Sequence, residues 1–343
     1  MATERPIAFV AGGIGDQLYH FTQMQTLTRF SAEGRIDVAC MHANIMRKIV
    51  SSCRWAGAVI DNSASRHPAD IKAFLGFVSW LKQQDYTHAY ILHRSTSFKL
   101  ACRLAGIKVR VGLADGAADR MLLTHPLSLE DGGERRRLWG HRPFIAAIDS
   151  FVDTRLKAVQ ASQSDVSGSP VVANIEALEQ IRTRYGHLPR PWVVINLFAQ
   201  DVNRRWDIEH AEQTLSQSFR RIGGTYFMNA GPDASAWHRQ LLQRWTGPKD
   251  ALILTQDDYA DVIQDIALYH LADAYLGVDS FTANLAFNCD LPALVLFAKD
   301  EDKLSYRPFT KGLAPAEEND LSSLSPERIC DEIGQLLADT PKP

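Results

Sequence analysis

The chain has 343 residues, which is long enough for two domains of ordinary size. Hydrophobic residues make up 45% and charged residues 22% of the sequence, a balance typical of globular proteins that excludes disordered or collagen-like chains. The net charge of -3 excludes a global basic field that would recruit nucleic acid.

The five cysteines are scattered along the chain, odd in number and without a C-x-x-C pair. This pattern argues against a disulfide framework or a zinc site and favours a reducing cytoplasm. No metal site is expected, because the acidic pairs of the sequence are more typical of solvated faces.

Short apolar segments alternate with helical stretches along both halves of the chain, as in parallel sheets flanked by helices. The predicted strands cover residues 7–10, 36–40, 89–92, 109–111, 192–196, 225–228, 274–276 and 293–297. The predicted helices cover residues 143–160, 175–185 and 325–339.

A polar segment rich in small residues, 161–170, is typical of a linker. We therefore predict an α/β protein with two Rossmann-like domains, residues 1–165 and 166–343, that face a central cleft. In such sheets ligands bind at the carboxyl ends of the strands, so the loops after the strands are expected to carry the function.

The first loop contains Gly12, Gly13 and Gly15, followed by Asp16 at the start of a helix. Glycines let the backbone approach a ligand and expose amides at a helix N-terminus, which suits an anion or a sugar. The spacing is neither a dinucleotide fingerprint nor a P-loop. Asp16 could take a proton from an acceptor hydroxyl, or it could simply cap the helix.

The second loop follows residues 192–196 and contains Arg204 and Arg205 before Trp206. Two guanidinium groups in a loop that leads into a helix can donate to a leaving diphosphate. The alternative is that both arginines are merely solvated. The turn at residues 229–233, which contains Gly231, could line the same pocket.

The third loop follows residues 274–276 and places Asp279 and Ser280 at the start of another helix. Amides in the first turn of that helix are available to phosphate oxygens. The alternative is an ordinary Asp-Ser helix cap.

Taken in order, these segments resemble glycosyltransferase family 9, which includes the ADP-heptose:lipopolysaccharide heptosyltransferases. The resemblance extends over most of the chain. It is carried by residues 13–18, 92–112, 194–196, 203–206, 277–280 and 291–297.

The resemblance implies a GT-B fold, with an N-terminal acceptor-binding domain and a C-terminal domain that binds the nucleotide sugar. It also implies a C-terminal helix that returns toward the first domain, and inverting transfer without a catalytic metal. Asp16 matches the proposed general base of the family, Arg204 stands where the family usually has Lys, and Asp279 matches an aspartate at the donor. The residues predicted to bind substrate or donor are Gly12, Gly13, Gly15, Asn196, Arg204, Arg205, Gly231, Asp279, Ser280, Phe281, Thr282 and Asn284.

Three features depart from the family pattern: Phe281 stands where Gly is usual, Asn284 where His is usual, and residues 297–302 where a Gly-Pro-Thr-Asp turn is usual. Phe281 restricts the backbone, and Asn284 cannot carry a positive charge. These departures put the identity of the donor in doubt.

The prediction is thus an enzyme that transfers a heptose-like sugar from a nucleotide-diphosphate donor, with an ADP-sugar favoured, to an acceptor hydroxyl. The enzyme would act in lipopolysaccharide or other glycan synthesis. It would need no cofactor and would not bind nucleic acid. The acceptor would be a glycan or lipid-linked, with peripheral contact at the inner membrane face. The alternatives are a transferase of the same fold with another donor and acceptor, such as a natural product or a protein, or an inactive relative that binds sugar nucleotides.

Overall fold

A computed structural model describes residues 4–63, 70–128, 141–158, 168–229, 234–298, 309–315 and 320–339. The chain divides into two compact units, residues 1–170 and 171–343. Each unit is built around one parallel sheet.

The first unit contains a sheet of six described strands, all in parallel pairs. They are β1 (Pro6–Phe9), β2 (Ile36–Cys40), β3 (Ala56–Asp61), β4 (His88–Ile91), β5 (Val109–Leu113) and β6 (His125–Leu127). The helices are α1 (Ile14–Leu18), α2 (Phe21–Leu27), α3 (Ala43–Ile49), α4 (Ile71–Lys82), α5 (Thr96–Leu104), α6 (Ala117–Leu122) and α7 (His141–Ala158). The strand order is β3-β2-β1-β4-β5-β6, so the connection direction reverses between β1 and β4.

The second unit repeats this plan. Its strands are β7 (Trp192–Asn196), β8 (Thr225–Met228), β9 (Leu252–Leu254), β10 (Ala274–Val278), β11 (Ala293–Leu296) and β12 (Thr310–Leu313). Its helices are α8 (Ile175–Tyr185), α9 (Ile208–Ile222), α10 (Ser235–Arg244), α11 (Val262–Leu271), α12 (Phe281–Asn288) and α13 (Pro326–Asp339). The order β12-β11-β10-β7-β8-β9 has its reversal between β7 and β10.

The central strands form the core of each unit. All five residues of β7 and of β10 are buried, and nearly continuous apolar runs are typical of parallel strands covered on both faces. In the second unit α13 packs against α9 and the sheet through Ile329 and Ile333. The predicted fold class is confirmed, and the return of this helix toward the first domain stays a prediction.

The eight predicted strands are all present with small shifts at their ends, and the structure adds β3, β6, β9 and β12. These four are the outermost described strands of the two sheets. None is buried along its whole length, unlike β7 and β10. The apolar patterns of β3, β6 and β12 are weaker, and β9 is apolar but only three residues long.

Candidate functional site

The glycine loop of the first unit runs from β1 into α1, beside the reversal of the sheet. Gly12 has a φ of +97°, and a Cβ atom at this position would lie 2.8 Å from Oδ2 of Asp16. Both the left-handed backbone and the lack of space require glycine there. The loop therefore passes close to the Asp16 carboxylate because position 12 has no side chain.

The Asp16 carboxylate takes part in capping α1. Its Oδ2 accepts a hydrogen bond from the Gly13 amide at 2.9 Å, and the residue as a whole is exposed. The side chain of Gln17 is buried beneath the loop, where its Nε2 donates to the carbonyl of Gly12 at 3.2 Å. The loop geometry thus holds the carboxylate in place at the surface, and the capping role foreseen as the alternative is present.

In the second unit, the two strands beside the reversal are joined at their carboxyl ends by polar side chains. Asn196, the last residue of β7, donates through Nδ2 to Oγ1 of Thr282 at 2.7 Å and to Oγ of Ser280 at 3.3 Å. The hydroxyls of Ser280 and Thr282 are also 2.8 Å apart. The network fixes the start of α12 against the end of β7.

Tyr275 extends this network from β10. Its hydroxyl lies 2.9 Å from Oγ1 of Thr282, and burial raises the pKa of the phenol, so the group stays neutral. A Cβ atom on Gly277 would lie 2.2 Å from that hydroxyl and 2.6 Å from the carbonyl of Asn196. Glycine at position 277 therefore makes room for the network.

Arg204 brings a cation to the same strand ends. Its Nη1 lies 3.5 Å from Oδ2 of Asp279 and 3.4 Å from the carbonyl of that residue, while Nε lies 3.4 Å from Oδ2 of Asp201. The Arg204 side chain remains 42% exposed, whereas that of Asp279 is only 10% exposed. The two carboxylates thus orient a guanidinium that is still accessible to an anion.

Arg205 behaves differently from its neighbour. Its Nε donates to the carbonyl of Ala199 at 3.0 Å, Nη2 donates to that of Gln200 at 3.4 Å, and the guanidinium stacks on Phe198 at 4.2 Å. The next residue, Trp206, is buried in the core of the unit and anchors the loop. The Arg205 guanidinium therefore contacts its own loop.

The first turn of α12 has no side-chain cap. Ser280 occupies the N-cap position with an extended backbone, but its hydroxyl is engaged with Asn196 and Thr282. Asn284 is buried and donates through Nδ2 to the carbonyl of Ser280 at 3.0 Å. Among the described residues, Oδ1 of Asn284 has no hydrogen-bond partner. The start of this helix can therefore receive both an anion and a hydrogen-bond donor.

The structure brings together five of the predicted site residues by direct hydrogen bonds or ion pairs at the start of α12. These are Asn196, Arg204, Asp279, Ser280 and Thr282. Asn284 joins them through the Ser280 carbonyl, and Phe281 is the first residue of α12. Gly12, Gly13, Gly15 and Asp16 belong to the first unit, and Gly231 lies outside the described residues.

Sequence reasoning missed three supporting residues: Gln17, Asp201 and Tyr275. Gln17 directly follows Asp16, and Tyr275 lies in a strand that was otherwise read as apolar. Their functional signal comes from contacts with residues distant in sequence or with the backbone of a loop, which no local pattern contains.

Neither a metal cluster nor a membrane span is evident in the described ranges. No group of three His, Cys, Asp or Glu side chains there could hold a metal ion. None of the described helices is long and apolar enough to cross a bilayer. All five cysteines are buried and free.

Three solved structures are similar to this chain over nearly its whole length. A glycosyl transferase family 9 protein from Veillonella parvula is 13% identical, with 98% of each chain covered and a TM-score of 0.75. ADP-heptose lipopolysaccharide heptosyltransferase II of Escherichia coli is 15% identical, covering 97% of this chain and 98% of that chain, with a TM-score of 0.73. Escherichia coli heptosyltransferase WaaC, solved with ADP-2-deoxy-2-fluoro heptose, is 14% identical, covering 96% and 99%, with a TM-score of 0.70.

At these identities the likeness establishes the fold, and it confirms at that level the resemblance to glycosyltransferase family 9. A putative UDP-N-acetylglucosamine 2-epimerase from Listeria monocytogenes is also similar, at 11% identity, 99% and 89% coverage and a TM-score of 0.53. No family model matches the sequence, and no curated protein matches it.

Proposed function

We propose that this protein is a glycosyltransferase of the family 9 type that moves a sugar from a nucleotide-diphosphate donor to an acceptor hydroxyl. The observation that carries the proposal is the position of Arg204 beside the uncapped first turn of α12. A cation and unsatisfied amides at strand ends next to a sheet reversal suit a diphosphate. The fold shared with heptosyltransferases supports the same reaction class.

In this proposal the second unit holds the donor. Negative charge grows on the diphosphate as the bond to the anomeric carbon breaks, and Arg204 and the amides of α12 stabilise that charge. Asp279 is itself negative, so its role is to position the Arg204 guanidinium, from which its Oδ2 is 3.5 Å away. Asn284 donates through Nδ2 to the Ser280 carbonyl and offers its buried Oδ1 as an acceptor to a hydroxyl of the donor sugar.

The first unit supplies the base. Asp16 takes the proton of the acceptor hydroxyl while that oxygen attacks the anomeric carbon and inverts it, so that no metal ion takes part. The hydrogen bond from the Gly13 amide fixes the carboxylate during this step. The acceptor is a glycan or a lipid-linked sugar, with the protein in the cytoplasm at the inner membrane face.

An ADP-sugar is the favoured donor, since two of the similar structures contain ADP or an ADP-heptose analogue. A second candidate is a transferase with a different donor and acceptor. Phe281 in the first turn of α12 favours it, because a large side chain there changes the space beside the sugar.

Binding of nucleotides tests the proposal. Calorimetry of the full chain with ADP, UDP and GDP should give one clear binder, and the matching monophosphate should bind at least about tenfold more weakly because it lacks the second phosphate. The same ligand should also stabilise the folded chain and raise its unfolding temperature. At a ligand concentration about a hundredfold above Kd, the unfolding free energy should increase by about 2.7 kcal/mol.

Turnover then separates an enzyme from an inactive binder. The nucleotide sugar that carries the preferred base should be turned over. NMR should show that the anomeric configuration of the product is inverted. Equal affinity for the mono- and diphosphate, or no binding at all, would contradict the donor site. Binding without transfer to any glycan acceptor would favour the inactive relative.

A further inference from the structure

Three consecutive helices of the first unit carry a cluster of exposed aliphatic side chains. Ile71 and Leu75 on α4, Leu100 and Leu104 on α5, and Met121 on α6 are each between 37% and 70% exposed. We refer to these five residues as the apolar strip. Large apolar side chains gathered on one face mark an interaction surface, whereas single ones do not.

The helices bring these residues together on one side of the sheet. Spacing of four residues places Ile71 above Leu75, and Leu100 above Leu104, along one face of each helix. The opposite faces of α4 and α5 pack in the same core cluster, through Phe74 and Phe98 among others. Since α4 contacts α5 and α5 contacts α6, their outward faces are neighbours.

The rest of the described chain shows no comparable cluster. The other exposed large apolar residues are Ile45, Val172, Ile175, Val202 and Phe309. They are spread over both units, and only Ile45 and Ile175 lie within α-helices. Half of the ten exposed large apolar residues therefore lie on three short helices.

The exposed charges on the same helices all have one sign. Lys72 and Lys82 on α4, Arg103 on α5 and Arg120 on α6 are exposed, and none forms an ion pair with a described carboxylate. The single acidic residue within these helices, Asp119, is buried. This local positive field belongs to a chain whose net charge is -3.

Exposed acids occur only where the helices begin or end. Asp70 caps α4 by accepting from the Ala73 amide at 2.9 Å, and Asp115 pairs with Arg94 at 3.8 Å. Asp85 lies in the turn after α4. The face of the helices thus combines aliphatic and basic side chains, and carboxylates are confined to its border.

We infer that the apolar strip docks the first unit on an anionic lipid bilayer. Aliphatic side chains enter the boundary between headgroups and acyl chains, while lysine and arginine lie along it with their charges at the phosphates. A protein partner is less suited, because these four cations, none paired with a described carboxylate, would each need a matching carboxylate from it. The inference rests on the proposed function in one respect: docking would bring the base near a lipid-linked acceptor. Lipid binding itself requires no turnover.

Vesicle flotation without donor or acceptor tests the inference. The full chain should float with vesicles of phosphatidylcholine and phosphatidylglycerol at low salt and bind pure phosphatidylcholine far less. I71S/L75S should lower the partition coefficient at least about tenfold. K72Q/K82Q should lower it by about fivefold for each charge removed.

Matched controls use side chains of similar exposure elsewhere. I45S/I175S and K157Q/K249Q should bind vesicles like the wild type, and thermal unfolding should show all four variants folded. Binding by the strip variants equal to that of their controls, or no binding by the wild type, overturns the inference. So does a dimer in sedimentation velocity that I71S/L75S abolishes, because a second copy would then cover the strip. Loss of vesicle binding with unchanged turnover in solution would leave the transferase proposal intact.

Discussion

The two units share one strand order, but an acid in each unit has its pKa shifted in the opposite direction. In the first unit Asp119 is buried and lies 2.6 Å from the buried ammonium of Lys99. Burial alone would raise the pKa of Asp119, yet hydrogen bonds from Lys99, Thr96 and the Asp115 amide lower it. In the second unit burial raises the pKa of Asp265 to about 7, and a hydrogen bond from the Asn229 amide only partly offsets this.

The accessible charges are opposite as well. The first unit presents the exposed carboxylate of Asp16, and the second presents the guanidinium of Arg204. Shared topology therefore fixes where polar side chains gather, and the neighbours of each side chain determine its charge. A base and an anion site can arise in this way from two copies of one architecture.

Removing the charge of Asp16 is expected to have the largest effect. Asp16→Asn should lower kcat by about two to four orders of magnitude, because the amide can no longer accept the acceptor's proton. The amide oxygen can still accept from Gly13, so the unfolding free energy should change by less than about 1 kcal/mol. Steady-state kinetics and urea unfolding measure the two effects, and full turnover would restrict Asp16 to its capping role.

The next effect separates the two adjacent arginines. Arg204→Ala should weaken binding of the nucleoside diphosphate by about 10- to 100-fold, the range for a charged hydrogen bond. Arg205→Ala is the matched control, expected to change affinity by less than about threefold because the Arg205 guanidinium contacts its own loop. Calorimetry measures both, and equal losses would mean that both arginines meet the phosphates.

The remaining effect is a dependence of the unfolding free energy on pH at Asp265 and Asp119. Asp265 has a raised pKa in the folded state, so the protein loses stability as pH rises from about 4 to about 7, with no further loss above. Asp265→Asn cannot ionise. Its stability relative to wild type should therefore increase over this range, by roughly 1.4 kcal/mol for each pH unit.

For Asp119 the dependence of stability on pH is expected to have the opposite sign. The lowered pKa of Asp119 contributes stability that is present above its ordinary value and is lost as pH falls below it. Asp119→Asn should therefore be most destabilising near neutral pH and less so below about pH 4. Urea unfolding at several pH values measures both variants, and profiles of the same sign would contradict the contrast.

The interior of both sheets could be predicted from sequence because it is built from apolar runs. Every predicted strand lies inside a sheet, and the four that were missed are outermost among the described strands. Edge strands are covered less, so selection for apolar residues is weaker: β6 reads His-Pro-Leu and β12 reads Thr-Lys-Gly-Leu. Their pairing depends on neighbours from elsewhere in the chain.

For the candidate site, local motifs located the loops but not the contacts within them. Arg204 and Arg205 are adjacent and chemically identical, and only the family resemblance, not their local pattern, singles out Arg204. Only the folded loop directs one guanidinium to Asp279 and the other to the carbonyls of Ala199 and Gln200.

The sequence by itself determined the α/β class, the eight inner strands and the loops that bear polar residues, because these follow from local patterns of apolar residues and glycines. Tertiary structure decided the edge strands, the partners of each arginine and the ionisation of Asp119 and Asp265. Those properties depend on burial and on side chains far apart in sequence, such as Lys99 beside Asp119 and Asn229 beside Asp265.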